Sequence, residues 1–176
     1  MKISQRAVDL LKKHEGLPTA EVDGVRLAVP YKDPIGIWTI GYGFIRMHGK
    51  RVTGHTPAMT MLQVEEQLVK QIVEYKEGAE NAVTVEINPD QLGALTSFAW
   101  NLGVPALRSS TLLKRINSCA WDDVEYQFSR WNKAGGKVFK GLVTRRQDEA
   151  DLFLRGTIYD KVLTAPVARE CTSCYA

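Results

Sequence analysis

Residues 31–43, Y-K-D-P-I-G-I-W-T-I-G-Y-G, constrain the fold of this chain more than any other stretch. Asp33 and Pro34 begin a turn, Gly36 supplies a permissive φ, and the β-branched and aromatic run that follows is closed by Gly41 and Gly43. The pattern predicts a turn entering a short strand over residues 37–42. Alternation along that strand puts Ile37, Thr39 and Gly41 on one face and Trp38, Ile40 and Tyr42 on the other. Thr39 then carries a small hydroxyl near the Asp33 carboxylate, and such a pair can orient one water molecule. The same residues also suit plainer roles, Asp33 capping a turn and Thr39 serving as a β-former.

Helices surround this strand. Residues 3–14 set Ile3, Ala7, Leu10 and Leu11 on one face and Arg6, Lys12 and Lys13 elsewhere, an amphipathic helix that ends at Glu15 before Gly16. Asp23-Gly24 between β-formers predicts a two-residue hairpin over residues 20–27, and residues 51–53 a last short strand. Thr60 with Gln63 three residues on is a capping box. It opens a helix running to about Gly78, with Leu62, Val69, Ile72 and Val73 as its apolar stripe. Asn88-Pro89 is a cap with proline at the first helical position, and residues 91–102, apolar nearly all round, form the central buried helix. Ser109 or Ser110 caps residues 112–116, and residues 121–131 carry Val124 and Phe128 inward. A further helix holds Leu142, Arg145, Arg146, Glu149, Leu152 and Phe153, and residues 158–163 add a short one. The expected class is α+β, mainly α. A small antiparallel sheet lobe (about residues 16–57) is joined by a long helix (60–79) to a larger helical lobe (88–163), within one domain (1–165) followed by a tail (166–176).

Bulk properties exclude several functions. Hydrophobic content of 44% with 24% charged residues is that of a soluble globular protein. No apolar run approaches the ~18 residues of a membrane span. The N-terminus interleaves charge with apolar residues at helical spacing, unlike a signal peptide or an anchor, so synthesis and initial retention in the cytoplasm are expected. A net charge of +3 suits an anionic polymer and equally a neutral substrate. A nucleic-acid binder would show a denser basic stripe with a recognisable motif. Three cysteines make no disulfide framework. Cys119 is read as buried and inert in a helix. Cys171 and Cys174 form a C-x-x-C in the tail, and His14, His48 and His55 are scattered, so neither metal nor cofactor is expected.

Glu15 supplies a second carboxylate beside Asp33, and paired carboxylates, one protonated and one ionised, are what glycosidic hydrolysis needs. H-E-G-L at 14–17, Y-K-D-P-I-G-I-W-T-I-G-Y-G at 31–43, F-A-W-N-L-G at 98–103, W-N-K-A-G-G-K at 131–137 and G-L-V-T-R-R-Q-D-E-A-D-L-F at 141–153 resemble the phage-type lysozymes (endolysins) of glycoside hydrolase family 24. The resemblance covers roughly residues 3–155 in chain order. It implies a lysozyme-like fold and hydrolysis of the β-1,4 bond between N-acetylmuramic acid and N-acetylglucosamine in peptidoglycan. It makes Glu15 the general acid, Asp33 the ionised group that holds water or stabilises positive charge on the sugar, and Thr39 the positioner of that water. It also brings an arginine toward the catalytic glutamate, here Arg145. On the residues alone, Arg145 and Arg146 with Asp148, Glu149 and Asp151 could instead be a solvated, ion-paired face. Trp131 and Asn132 suit a sugar polymer, by stacking and amide hydrogen bonds, or else a core ring and the start of a turn.

The resemblance further implies a monomer acting on peptidoglycan and a separately made membrane-permeabilising protein that lets it reach the wall. The chain departs from the family pattern in two places. The segment between Glu15 and Asp33 is longer, read as a lengthened hairpin whose Asp23 is a rival second carboxylate already explained by turn chemistry. Phe44 stands where a histidine is common. Two other functions remain open: a lytic transglycosylase on the same bond, which Asp33 and Thr39 argue against, and a catalytically inactive wall-binding module.

Overall fold

The computed structural model describes residues 1–33 and 35–163, with side chains as far as Arg155. It divides into two compact units, Lys12–Gln71 on the one hand and Met1–Leu11 with the chain from Ile72 onward on the other.

Helix α1 (Gln5–Glu15) opens with the Ala7 amide donating to the Ser4 hydroxyl at 3.2 Å, and it buries Ala7 and Leu11 as the periodicity predicts. In the unit Lys12–Gln71, β1 (Thr19–Val22) and β2 (Val25–Ala28) form the predicted hairpin, paired from Thr19↔Ala28 to Val22↔Val25. Its turn residues Asp23 (φ 51°) and Gly24 (φ 76°) both lie in the left-handed region that matches the twist of the flanking strands. Next, β3 (Tyr31–Lys32) pairs with β4 (Trp38–Thr39), and β5 (Arg46–Met47) with β6 (Lys50–Arg51). Strand β7 (Met59–Thr60) returns antiparallel to β2, giving a three-stranded sheet in the order β1-β2-β7.

The strand predicted over 37–42 is only two residues long. After Thr39 the chain makes a tight turn closed by the reciprocal Ile40–Phe44 backbone bonds (3.0 and 2.9 Å), with Gly41 at φ 62° and Gly43 at φ 88°. A Cβ at position 41 would lie 2.7 Å from the Phe44 ring, so this turn needs glycine for space as well as for φ.

Helix α2 (Met61–Glu80) starts with the predicted capping box, the Thr60 amide donating to Gln63 Oε1 at 2.9 Å and the Gln63 amide to Thr60 Oγ1 at 3.2 Å. Its buried positions are Val64, Leu68, Ile72 and Ala79, whereas Leu62, Val69 and Val73 are exposed. Of the predicted stripe only Ile72 faces inward; Val64 and Leu68, four residues apart, carry the packing with it.

The other unit is built on α3 (Pro89–Leu102), capped by Asn88 as predicted, with Gln91 completing a capping box, and buried without a break from Gln91 to Ala99. Three helices and a turn surround it: α4 (Val104–Ser109), which periodicity did not show; α5 (Thr111–Asn117), capped by Ser110 rather than Ser109; a 3-10 turn at Trp121–Asp123; and α6 (Val124–Ser129). The hairpin of β8 (Lys133–Ala134) and β9 (Lys137–Val138) leads into α7 (Lys140–Leu163), which absorbs the separate short helix expected at 158–163. Phe98, Phe128 and Phe153 are fully buried, with ring centroids 5.8 Å apart for Phe98–Phe128 and 6.2 Å for Phe128–Phe153.

Gly93 marks the tightest approach between α1 and α3: a Cβ there would lie 2.1 Å from the Ala7 Cβ. Gly93→Ala should therefore destabilise the fold by about 1–3 kcal/mol even though alanine is the better helix former. Urea unfolding of the variant checks this; unchanged or raised stability would mean that the two helices shift apart freely.

Two expectations about this unit are corrected. Arg145, Arg146 and Glu149 are not a solvated face: their exposures are 4%, 1% and 0%. Arg145 Nε donates to Glu149 Oε1 at 3.2 Å, Arg146 Nη2 to the same oxygen at 3.2 Å, and Ser97 Oγ to it at 2.7 Å. Arg146 Nε lies 3.1 Å from Glu149 Oε2, an ion pair by distance whose angle falls outside hydrogen-bond geometry. Burial raises the Glu149 carboxyl above its ordinary range, against the two arginines and Ser97, and burial brings the Arg146 guanidinium down to about 10. Cys119 is likewise not an inert helical thiol. It is half-exposed in a turn at φ 55° and is disulfide-bonded. Cys171 and Cys174 lie outside the described residues.

Candidate active site

All three residues singled out for catalysis, Glu15, Asp33 and Thr39, fall in the unit Lys12–Gln71. Helix α1 ends at Glu15, leaving its carboxylate half-buried at the helix terminus. The pairing Tyr31↔Thr39 and Lys32↔Trp38 sets Tyr31 opposite Thr39. Asp33 follows Tyr31 by two residues, so the three side chains are assigned to one face of the β3–β4 ribbon.

Asp33 caps its turn, the plainer of the two roles foreseen for it. Its Oδ1 accepts from the amides of Ile35 (3.0 Å) and Ile37 (2.8 Å), while its own amide donates to the Ile37 carbonyl at 3.0 Å. The turn thus consumes one carboxylate oxygen and fixes the direction of the other. Thr39 is 3% exposed, and its hydroxyl donates to the Ile37 carbonyl at 3.0 Å. With the proton committed there, the oxygen can meet a neighbouring water only as an acceptor.

Glu15 is tied to this ribbon from two directions. A Cβ at Gly43 would lie 3.5 Å from Glu15 Oε2, so the glycine turn at 41–43 brings bare backbone against the carboxylate. The Tyr31 phenol is raised above its ordinary value, first by burial, then by the negative charges of Glu15 and of Asp33. Tyr31 thus stands within electrostatic reach of both carboxylates. The sequence reading overlooked it, because only the register of β3 against β4 sets Tyr31 opposite Thr39.

A group whose native pKa is raised favours the native state below its unfolded value and loses that contribution as pH climbs through the raised one. The difference in ultraviolet titration between wild type and Tyr31→Phe should accordingly show one tyrosine ionising above 10. Glu15→Gln should bring that midpoint down. An unmoved midpoint would place Glu15 too far from Tyr31 to act with it.

Trp131 and Asn132 belong to the other unit. The Trp131 ring meets Phe98 edge-on at 5.3 Å and 85°, so much of it is core packing, while its remaining surface lines a recess of about 260 Å³ with Thr111, Gln127 and Arg130. The Asn132 carbonyl accepts from the Phe139 amide at 3.0 Å, across the base of the β8–β9 hairpin. Arg145 is held by Glu149 and by the Ser97 carbonyl, the latter at 3.3 Å. Among the described residues, no three His, Cys, Asp or Glu side chains gather as a metal site.

Known proteins share this architecture. The endolysin from Escherichia coli O157:H7 phage FAHEc1 superposes with a TM-score of 0.78 at 31% identity, over 89% of this chain and 95% of that one. The muramidase domain of SpmX from Asticaccaulis excentricus gives a TM-score of 0.67 at 30% identity, over 87% of this chain and 97% of that one. The model of the family described as phage lysozyme matches residues 20–149, a span holding Asp33 and Thr39 and starting just after Glu15. The chain belongs to the phage lysozyme family. Among curated relatives, the endolysin of Bacillus phage B103 is 38% identical over 158 residues, 89% of this chain, and the chain spans only 55% of that relative's length.

Proposed function

We propose that the protein is an endolysin that hydrolyses the β-1,4 bond between N-acetylmuramic acid and N-acetylglucosamine in peptidoglycan. The observation that carries this reading is the convergence of Glu15 and Asp33 on Tyr31, paired carboxylates held by a helix end and a turn in one small unit. Family membership and the printed names of the relatives, endolysins and a muramidase domain, support it.

In this mechanism Glu15, protonated, gives its proton to the glycosidic oxygen as the bond to the sugar's anomeric carbon breaks. Asp33 presents its unanchored oxygen to the positive charge growing on the ring or to the attacking water. Thr39 accepts a hydrogen bond from that water and sets its line of approach. Water adds its oxygen to the anomeric carbon and yields a proton, leaving a reducing muramic end. A water held between a carboxylate and a hydroxyl favours inversion, the geometry in which the two carboxyls stand roughly 6.5–9.5 Å apart. Trp131 and Asn132 would contact the glycan, and Arg145, buried beside Glu149, would support the site by keeping its helix in place. The protein would act as a monomer, made in the host cytoplasm and passing to the wall through a lesion formed by a separate membrane-permeabilising protein. Among the described residues, no helix is long and apolar enough to cross a membrane.

Mass analysis of fragments released from purified peptidoglycan tests this. Reducing muramic ends are expected. Anhydro ends would replace hydrolysis by a transglycosylase reaction, and binding without fragments would leave a non-catalytic wall module.

A further inference from the structure

A recess in the unit Lys12–Gln71 belongs to no step of the reaction. It has a volume of about 600 Å³ and lies between the β5–β6 hairpin, the loop that follows it and the outer face of α2. None of Glu15, Tyr31, Asp33 or Thr39 lines it. Its size is within the roughly 300–1,000 Å³ of ordinary ligand sites.

Its titratable lining is His48, Lys50, Arg51, His55, Glu66 and Lys70: three fixed positive charges and two imidazoles against one carboxylate. Among the described residues, none of Lys50, Arg51 and Lys70 enters an ion pair, although Glu66 stands at the favourable i,i+4 spacing from Lys70. Three unpaired cations converging on one concavity concentrate positive potential there, because the low-dielectric walls focus the field. The rest of the lining includes apolar surface from Met47, Pro57 and Met59. A ligand matched to both features carries spaced anionic groups joined by short, flexible carbon chains. A polyol phosphate has that make-up; a neutral glycan lacks the charge. Arg51 suits the phosphate's oxygens through its planar fork, and the lysines suit them as point charges.

We propose that this recess binds the phosphodiester groups of a polyol-phosphate polymer of the cell wall, and so holds the protein on its substrate at a place apart from the catalytic carboxylates. The proposal rests on the wall-hydrolase reading and names the anionic component of that wall. Binding should weaken steeply with salt, because the contacts are exposed and charge-dominated.

The test is calorimetric titration of the full chain with poly(glycerol phosphate), beside a Lys50→Glu, Arg51→Glu, Lys70→Glu triple variant. All three positions are exposed, and circular dichroism checks that the variant keeps the fold. Wild type should bind at least tenfold more tightly than the variant, and at least tenfold more tightly to poly(glycerol phosphate) than to polyglutamate of equal charge. Equal affinity of the two proteins, or of the two polymers, overturns the site. Tighter binding to phosphatidylglycerol vesicles than to the polymer overturns the wall as the phosphate's source. Sugar release from sacculi stripped of phosphate polymer separates this proposal from the catalytic one. Wild type and variant should release fragments at the same rate there. Fragments without polymer binding would sink the recess and spare the hydrolase reading; polymer binding without fragments would do the reverse.

Discussion

Glu149→Gln is expected to lower the unfolding free energy by roughly 3–5 kcal/mol, close to the stability margin of many domains of this size. The amide keeps the shape of the carboxylate and can still accept from Ser97, which donates to Oε1 at 2.7 Å in the wild type. What it loses is a buried negative charge that faces both Arg145 and Arg146. An uncompensated buried guanidinium is far costlier than an absent one. Replacing all three by Met, Met and Leu should therefore recover much of the loss. Guanidinium unfolding of wild type and both variants decides it. A loss below about 1 kcal/mol, the size typical of an exposed pair, would show that the triad is solvated after all.

Glu15→Gln should cost about 10²- to 10⁴-fold in kcat for release of reducing ends, the usual worth of a positioned general acid. The glutamine keeps the shape at the end of α1 but has no proton to give the leaving oxygen. Asp33→Asn is the informative partner. Its side-chain oxygen can still accept from the Ile35 and Ile37 amides, so the turn survives while the charge is removed. Asp33→Ala removes both and confounds chemistry with folding. Glu15→Gln at wild-type activity, with the fold confirmed, would reassign the acid; so would a loss confined to KM.

Much of this was legible in the residues, and what was missed has identifiable causes. Caps are local: the Thr60–Gln63 box, the Asn88 cap and the Asp23-Gly24 turn depend only on a few adjacent side chains, and each stands where the pattern put it. The failures came where long-range packing overrides a local pattern. Leu62, Val69 and Val73 are as apolar as Val64 and Leu68, and only the tertiary partner decides which face is buried. The run 37–42 has strand composition, but Phe44 fills the space beside Gly41 and folds it back after Thr39. Arg145, Arg146 and Glu149 look like any surface helix triplet; Ser97, 52 residues before Glu149, turns them into a core network. Glu15 and Asp33 were legible as carboxylates with a possible common task, whereas Tyr31 between them emerged only from the ribbon's register.

The β1–β2 hairpin lies in the chain between Glu15 and Asp33, yet neither residue is one of its strand positions. Its base is drawn together by the Val29 amide donating to the Pro18 carbonyl at 3.4 Å, and β2 is anchored to β7 behind it. Closing a longer loop costs only about 0.6 kcal/mol for each doubling of length. The hairpin's tip, with Val22 and Val25 exposed, is therefore a module that natural variation or an engineer could lengthen, trim or exchange while the elements holding Glu15 and Asp33 stay as they are.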